Sequence, residues 1–427
     1  MSTTNEPGRS RQRDVYVAGM RGRTPLLPAG AAALEEAAAR VLTPEAFAYL
    51  AGGAGAETTG VANRRGLDRW QWVPRVMRDV ASRDLSVELF GARLPAPLLL
   101  APIGVLDLAH RDADLAVGRA ASAMGIPFVF SNQASVPMED VARAMGDGPR
   151  WFQLYWSRSN GLVESFVQRA ERCGCTALVV TVDTTLLGWR TRDLDLGYLP
   201  FLRGRGIANY VSDPVFMELV RSEPRSDELD EGGLPGPSVL KNAVELLRNY
   251  PGSSLRALRS GEALAAVRKF IEVYSRPNLN WSDLSFLRRI TKLPIILKGI
   301  LHPEDARIAV DHGADGIVVS NHGGRQVDGA ASAIDQLGPV VDAVEDRVPV
   351  LMDSGIRGGS DVLKALALGA QAVLLGRPYA YGLAVGGETG VREVLANVLA
   401  EVDLTLGLLG APSVGDLNRS FLRLDTD

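Results

Sequence analysis

Cysteine and histidine are scarce in this chain. The only two cysteines among its 427 residues, Cys173 and Cys175, are separated by one glycine. Two are too few for a disulfide framework, and Cys-Gly-Cys lacks the spacing of a metal or redox pair. Both read as small buried residues of a reducing compartment, which leads us to expect a cytoplasmic location. The four histidines, His110, His302, His312 and His322, are scattered singly, so no His-rich metal site is expected. An excess of one charge is also missing: 46 Lys+Arg against 50 Asp+Glu leave a net charge of −4, with no electrostatic footprint for nucleic acid. No apolar run reaches the ~18 residues that suggest a membrane span. Met1 to Asp14 is polar and Arg-rich, without the apolar segment of a secretory signal.

What the chain does have is a rhythm. Hydrophobic residues make up 46% and charged residues 22%, ordinary values for a globular protein. From about residue 95, short apolar strands alternate with loops and helical segments. The strand candidates are Leu98–Ala101, Pro127–Phe130, Trp151–Leu154 and Ala177–Thr181, then Ile295–Lys298, Gly316–Ser320, Val350–Asp353 and Val373–Gly376. Helices such as Ala113–Met124, Leu162–Cys173, Pro303–His312 and Gly359–Leu368 lie between them. Such alternation predicts parallel βαβ units, and eight strands predict an α/β fold of the (β/α)₈ TIM-barrel kind, spanning 95–410, with its site at the C-terminal strand ends.

Around that barrel we expect a flexible arm at 1–30, a layer of helices and small strands at 31–94, and a tail at 411–427. In the layer, Thr43-Pro44-Glu45 reads as a helix start running to Tyr49, and Arg69–Val73 and Leu85–Phe90 read as strands. A long insertion after the fourth strand, about 205–279, has a Ser/Pro/Gly/acid-rich stretch, Arg221–Ser238, that reads as disordered. Helices Lys241–Tyr250 and Gly261–Ser275 follow. An insertion of this length on the catalytic face is a candidate lid.

Polar, titratable and glycine residues gather at the predicted strand ends: Ser131, Gln153, Tyr155, Thr181, Asp183, Lys298, Ser320, His322, Asp353, Gly355 and Gly376. The stretch Ser320-Asn321-His322-Gly323-Gly324-Arg325-Gln326 places a proton acceptor and a guanidinium three residues apart, with glycines that allow close approach of a ligand. Asp183 can hold His322 in one tautomer. Arg190, in the loop after the fourth strand, and Arg325 can grip a small carboxylate from two sides, with Tyr49 and Tyr155 as further donors. The last two strands lead into Asp353-Ser354-Gly355-Ile356-Arg357-Gly358-Gly359 and Gly376-Arg377-Pro378, where exposed backbone amides, a helix start and two arginines suit a phosphate. Lys298 ends an apolar strand. Burying it alone is costly, so it must meet an anion, work as a depressed-pKa amine or form a Schiff base.

The seven-residue stretch closely resembles the active-site signature of the FMN-dependent α-hydroxy-acid oxidising family (glycolate oxidase and lactate oxidase type). Tyr49 before Ala51-Gly52-Gly53-Ala54, Ala101-Pro102-Ile103-Gly104, Gln153-Leu154-Tyr155, Thr181-Val182-Asp183, Leu297-Lys298-Gly299, Asp353-Ser354-Gly355 and Gly376-Arg377 carry the likeness across most of 40–410. Within the family, Ala101–Val105 and the run from Leu187-Gly188-Trp189-Arg190 to Asp213-Pro214-Val215-Phe216 look most like lactate 2-monooxygenase. The resemblance implies bound FMN and a small (S)-2-hydroxy acid oxidised with O₂ in a homotetramer or octamer. His322 is then the base, Asp183 its partner, and Arg190, Arg325, Tyr49 and Tyr155 the substrate contacts. Lys298 faces the flavin, Ser131, Gln153 and Thr181 touch its ring, and Pro102, Ile103, Gly104, Ser320 and Asp353 line it. Gly355, Arg357, Gly376 and Arg377 hold its phosphate. Two departures bear on the substrate: Gln133 stands where many relatives carry tryptophan or a small residue, and Val220–Leu279 is long. A plain oxidase releasing keto acid and hydrogen peroxide, and a biosynthetic flavoenzyme for a larger hydroxy or amino acid, are the alternatives within the family. A Schiff-base aldolase or a non-catalytic barrel lies outside it.

Overall fold

The strands of the computed structural model, which describes residues 6–222, 237–250 and 261–425, fall where apolar β-branched and aromatic residues cluster. In chain order they are β1 (Trp70–Trp72), β2 (Val87–Leu89), β3 (Ala92–Leu94), β4 (Leu98–Leu100), β5 (Phe128–Phe130), β6 (Arg150–Tyr155), β7 (Leu178–Thr181), β8 (Ile295–Ile300), β9 (Gly316–Val319), β10 (Val350–Met352), β11 (Ala372–Leu375) and β12 (Leu422–Leu424). Strands β4 to β11 pair in parallel, each with the next, and β11 returns to β4. The chain is a (β/α)₈ barrel.

Period-two alternation sorts each barrel strand into two faces. Leu99, Val129, Trp151, Val179, Ile296, Val318, Leu351 and Leu374 share one cluster on the barrel axis. Their neighbours, such as Leu98, Phe128, Phe152, Val180, Leu297 and Val319, belong to the larger cluster under the helices. One period beyond each axial residue comes the next inward position: Ala101, Ser131, Gln153, Thr181, Lys298, Ser320, Asp353 and Gly376. The apolar layer thus becomes the floor on which a polar ring stands.

The hairpin β2–β3 closes the opposite end of the barrel. Its Leu89 and Leu94 join the axial cluster, and Phe90 meets Trp151 edge-on at 5.6 Å. Gly316 has no side chain because a Cβ there would lie 2.7 Å from Phe90 Cζ. The C-terminal ends of the strands are therefore the open ones.

One expectation, at the N-terminus, needs correction. The segment read as a flexible arm forms a helix, Pro7–Met20, against the long helix Arg377–Leu408. Gly8 N donates to Asp403 Oδ2 at 2.9 Å, Arg11 Nε donates to Asn397 Oδ1 at 2.8 Å, and Arg11 pairs with Glu393. Gly, Pro and Arg composition suggested looseness, but the partners that order this segment lie at the far end of the chain. In the tail, β12 pairs antiparallel with β1, Trp72 opposite Leu422. In the N-terminal layer, Pro44–Ala51 is capped by Thr43, whose hydroxyl accepts from Ala46 N at 3.2 Å.

The described parts of the insertion are helical: Ala208–Val211, Pro214–Ser222, Pro237–Asn249 and Glu262–Val273. The stretch expected to be disordered falls mostly on residues 223–236, which with 251–260 lie outside the described residues, as does part of the expected lid.

Candidate active site

His322 sits in a backbone conformation that few residues take. Its φ is +58°, and Gly323 and Gly324 continue the left-handed run at +66° and +77°. Asn321 caps the turn, its Oδ1 accepting from Gly324 N at 3.2 Å, and Ser320 Oγ accepts from His322 N at 3.0 Å. We expected these glycines to leave room for a ligand. Instead the chain itself occupies much of that room: a Cβ on Gly324 would lie 2.8 Å from Gly60 N, and one on Gly323 2.9 Å from an Arg377 nitrogen. Gly324 lets the helix Thr58–Arg69 close against the site.

This turn presents the ring edge of His322 to Asp183 at the end of β7, with Nδ1 2.9 Å from Asp183 Oδ1. Thr184 Oγ1 donates to the same oxygen at 2.9 Å. Burial works to raise the Asp183 pKa, but the His322 contact and the Lys298 charge overcome it and hold the carboxyl below its ordinary value. Burial first, then the Lys298 charge, pushes His322 below its ordinary value against the pull of Asp183. The carboxylate is therefore ionised and the imidazole neutral. An ionised acceptor fixes the proton on Nδ1 and leaves Nε2 with a free lone pair.

Lys298 is not left alone at the end of its strand. Its Nζ lies 2.9 Å from Asp353 Oδ2 and donates to Ser320 Oγ at 2.9 Å. Burial opposes its charge, but Asp353 and then Asp183 hold its pKa above the ordinary value. That is the opposite of the depressed amine a Schiff-base enzyme needs.

The arginines are differently placed. Arg325 Nη1 donates to the carbonyls of Tyr49 and Gly52 at 2.6 and 2.9 Å. Arg190 is 8% exposed; it reaches Gln326 Oε1 at 3.4 Å, and its Nε has no partner. Their guanidinium carbons lie 5.1 and 5.9 Å from the Tyr49 ring centre. Among the described residues neither forms an ion pair. Burial, then the Arg190 charge, pushes the Arg325 pKa down to about 9. A guanidinium keeps its proton in proteins, so this expresses unmet demand for an anion. Burial raises both Tyr49 and Tyr155, keeping their phenols protonated as donors.

The two loops expected to share an anion divide their work. The helix Gly359–Ala367 already has its anion: Glu401 accepts from Gly359 N at 2.7 Å and Ser360 N at 3.3 Å. The helix that begins at Arg377 has Gly376 as N-cap with no side-chain cap, and Gly376 lines the cavity. The Arg377 side chain donates to the carbonyls of Leu50, Gly323 and Gly52, so it anchors the rim. Arg357 is a further guanidinium in need of an anion; burial and then Arg377 push it down to about 10.

These groups surround one cavity of about 850 Å³, counting the space open at its mouth. Tyr49, Pro102, Ile103, Gly104, Tyr155, Arg190, Lys298, His322, Arg325, Asp353, Gly355, Arg357, Gly376 and Arg377 line it. Asp183, Ser131, Gln153, Thr181 and Ser320 are not among its lining residues. Gln153 Nε2 and Thr181 Oγ1 are buried without a partner among the described residues. Residue types alone did not single out Asn132, whose Oδ1 accepts from Tyr155 N and Tyr210 Oη at 3.1 and 3.3 Å. They also passed over Gln326, whose Nε2 donates to the carbonyls of Asp183 and Leu186 at 3.0 and 2.8 Å. Both immediately follow residues that were chosen, and that adjacency was the available signal.

The sequence pattern of a family described as FMN-dependent dehydrogenase matches residues 38–424. The chain is 42% identical to an FMN-dependent alpha-hydroxy acid dehydrogenase of Penicillium citrinum, over 97% of this chain and 95% of that one. It is 40% identical to an L-lactate oxidase of Lysinibacillus sphaericus, over 90% of each. Among solved structures, a mandelate oxidase is similar with a TM-score of 0.73 and 38% identity, over 93% of this chain and 98% of that one.

Proposed function

The chain belongs to the FMN-dependent dehydrogenase family and is an α-hydroxy-acid oxidoreductase with FMN as cofactor; on that premise we propose that it converts a small (S)-2-hydroxy acid to the 2-keto acid, with O₂ as electron acceptor. The observation that carries this reading is that His322, oriented by Asp183, and two arginines that form no ion pair among the described residues open into one cavity.

The residues present fit FMN. Two buried side-chain groups at the polar ring, Gln153 Nε2 and Thr181 Oγ1, lack the partners that a flavin's ring atoms supply, and buried polar groups are normally paired. The uncapped helix start at Gly376 and the Arg357 guanidinium suit its phosphate. We assign the ring to Ser131, Gln153, Thr181 and Lys298, with Pro102, Ile103 and Gly104 along one side, and the phosphate to Gly355, Arg357 and the backbone at Gly376 and Arg377. When bound, FMN supplies the two-electron acceptor that no side chain offers.

The chain's own residues do the rest. Arg190 and Arg325 take the substrate carboxylate, and the protonated phenols of Tyr49 and Tyr155 donate to it or to the hydroxyl. This holds the substrate's α-carbon before His322. Nε2 receives the proton that the substrate releases, and Asp183 stabilises the resulting imidazolium. A positioned base is typically worth ~10²–10⁴ in rate, so the carboxylate grip must carry much of the remainder through orientation. Ser320 and Asp353 act on Lys298 and fix its charge beneath the cofactor site.

Anaerobic mixing with a panel of 2-hydroxy acids tests the proposal. At least one small (S)-acid should bleach the flavin absorbance, and His322→Ala should retain FMN but lose that bleaching. A panel that leaves the flavin oxidised would refute it. A second reading, decarboxylation of the keto acid before release as in lactate 2-monooxygenase, is favoured by the likeness of Ala101–Val105 and Leu187–Arg190. Acetate and CO₂ from lactate under air support it; stoichiometric pyruvate and hydrogen peroxide refute it.

A further inference from the structure

The cavity holds one carboxamide among its described lining residues, Gln133, and it is built in as firmly as the base. Gln133 N donates to Ser131 Oγ at 3.1 Å and its carbonyl accepts from Val105 N at 3.0 Å. The loop is pinned again from the insertion, where Ala208 N donates to Ala134 O at 3.2 Å and Asn209 Nδ2 donates to Ser131 O at 3.0 Å. A Cβ on Gly104 would lie 3.1 Å from Gln133 Cβ, so that side is already filled. The side-chain amide makes no hydrogen bond among the described residues, and the residue is only 7% exposed. Lining the cavity, the amide's donor and acceptor are free for something bound there.

Its place in the barrel says what that something is. Gln133 follows β5 and His322 follows β9, four strands apart in a ring of eight, which sets them across the mouth from each other. A 2-hydroxy acid held by its carboxylate at Arg190 and Arg325, with its α-carbon at His322, extends its remaining substituent away from those groups. That direction leads across the cavity toward the Gln133 side.

We propose that Gln133 reads the substrate's side chain, and that the preferred substrates are 2-hydroxy acids whose side chain carries a hydrogen-bonding group, a hydroxyl, carbonyl or carboxamide, in place of plain alkyl. This rests on the proposed oxidation and narrows its substrate class. A site that hydrogen-bonds a substrate group rejects the analogue lacking it more strongly than an apolar pocket rejects an added polar atom.

The test uses an isosteric pair, (S)-glycerate and (S)-2-hydroxybutyrate, which differ by a hydroxyl in place of a methyl. In the FMN-loaded enzyme, anaerobic bleaching at limiting substrate should favour glycerate by about tenfold or more. Gln133→Leu and Gln133→Met, with FMN content checked, should lose or reverse that preference. A wild-type preference for 2-hydroxybutyrate, or a ratio unchanged in both variants, would overturn the proposal. The keto analogues hydroxypyruvate and 2-oxobutyrate, titrated against the flavin spectrum, read the same preference without turnover. If no hydroxy acid bleaches the flavin, the oxidation reading fails, while the keto pair still decides the role of Gln133. Should the variants fail to hold FMN, the wild-type ratios decide.

Discussion

Replacing Asp183 with asparagine keeps the shape of the site and removes one charge. Opposite unit charges at the 2.9 Å separating Asp183 from His322 attract by about 6 kcal/mol at an effective dielectric near 20. That attraction exists only once His322 has taken a proton, so it favours the state after proton transfer over the resting one. Burial and the Lys298 ammonium both act against the imidazolium, and no other described group replaces the carboxylate. Even half of the attraction, about 3 kcal/mol, is a factor of about 10² in rate. The assay is anaerobic stopped-flow reduction of bound FMN at saturating substrate, across pH. In the wild type the rate should rise as pH climbs through the His322 pKa, which lies below the usual histidine value, and stay level above it. Asp183 raises that pKa, so Asp183→Asn should shift the step to still lower pH while the plateau falls about 10²-fold or more. At neutral pH the base is neutral in both proteins. The loss therefore cannot be recovered by adjusting pH. A variant within threefold of wild type, or one restored by a change of pH, would refute the argument.

Three other outcomes follow from the same geometry. Lys298→Met leaves Asp353 buried without its cation, and should destabilise the holoprotein by about 3–5 kcal/mol in urea unfolding; Asp353→Asn in that background should recover part of the loss. Gly299→Ala forces a Cβ to 2.6 Å from Asp183 Cβ at a φ of +111°. It should cost about 1–3 kcal/mol in stability and slow flavin reduction more than tenfold with FMN still bound; unchanged reduction would show that the pair tolerates displacement. Arg190→Met removes one side of the carboxylate grip, and KM for the hydroxy acid should rise by about 10–10²-fold, far more than kcat falls. An unchanged KM would show that Arg325 alone binds the carboxylate.

The barrel was legible because its strands repeat one local pattern. An apolar residue facing the axis is followed two positions later by a polar or small one, as in Val179 and Thr181 or Ile296 and Lys298, and no long-range knowledge is needed to see it. The loops proposed for the phosphate were legible only in part. Gly-rich turns before helices mark possible anion sites, but that Glu401 already fills one of them depends on a residue about forty positions away. Arg377 shows the same limit: three backbone carbonyls claim its side chain, and backbone carbonyls carry no residue-specific signal. The helix Pro7–Met20 was missed because a polar, Gly- and Pro-bearing segment is ordered by Asp403, Asn397 and Glu393, not by its own propensities.

The sequence by itself determined the periodicity, the positions of the strand ends and the chemical types available there, since these follow from local sterics and the alternation of side chains along a strand. Only the tertiary structure decided the partnerships. It turned Lys298 from an open question into the cation of an ion pair, joined His322 to Asp183, and left Arg190 and Arg325 without an ion pair among the described residues. Charge state depends on burial and on neighbours brought together from distant strands, and neither is written in the order of the residues.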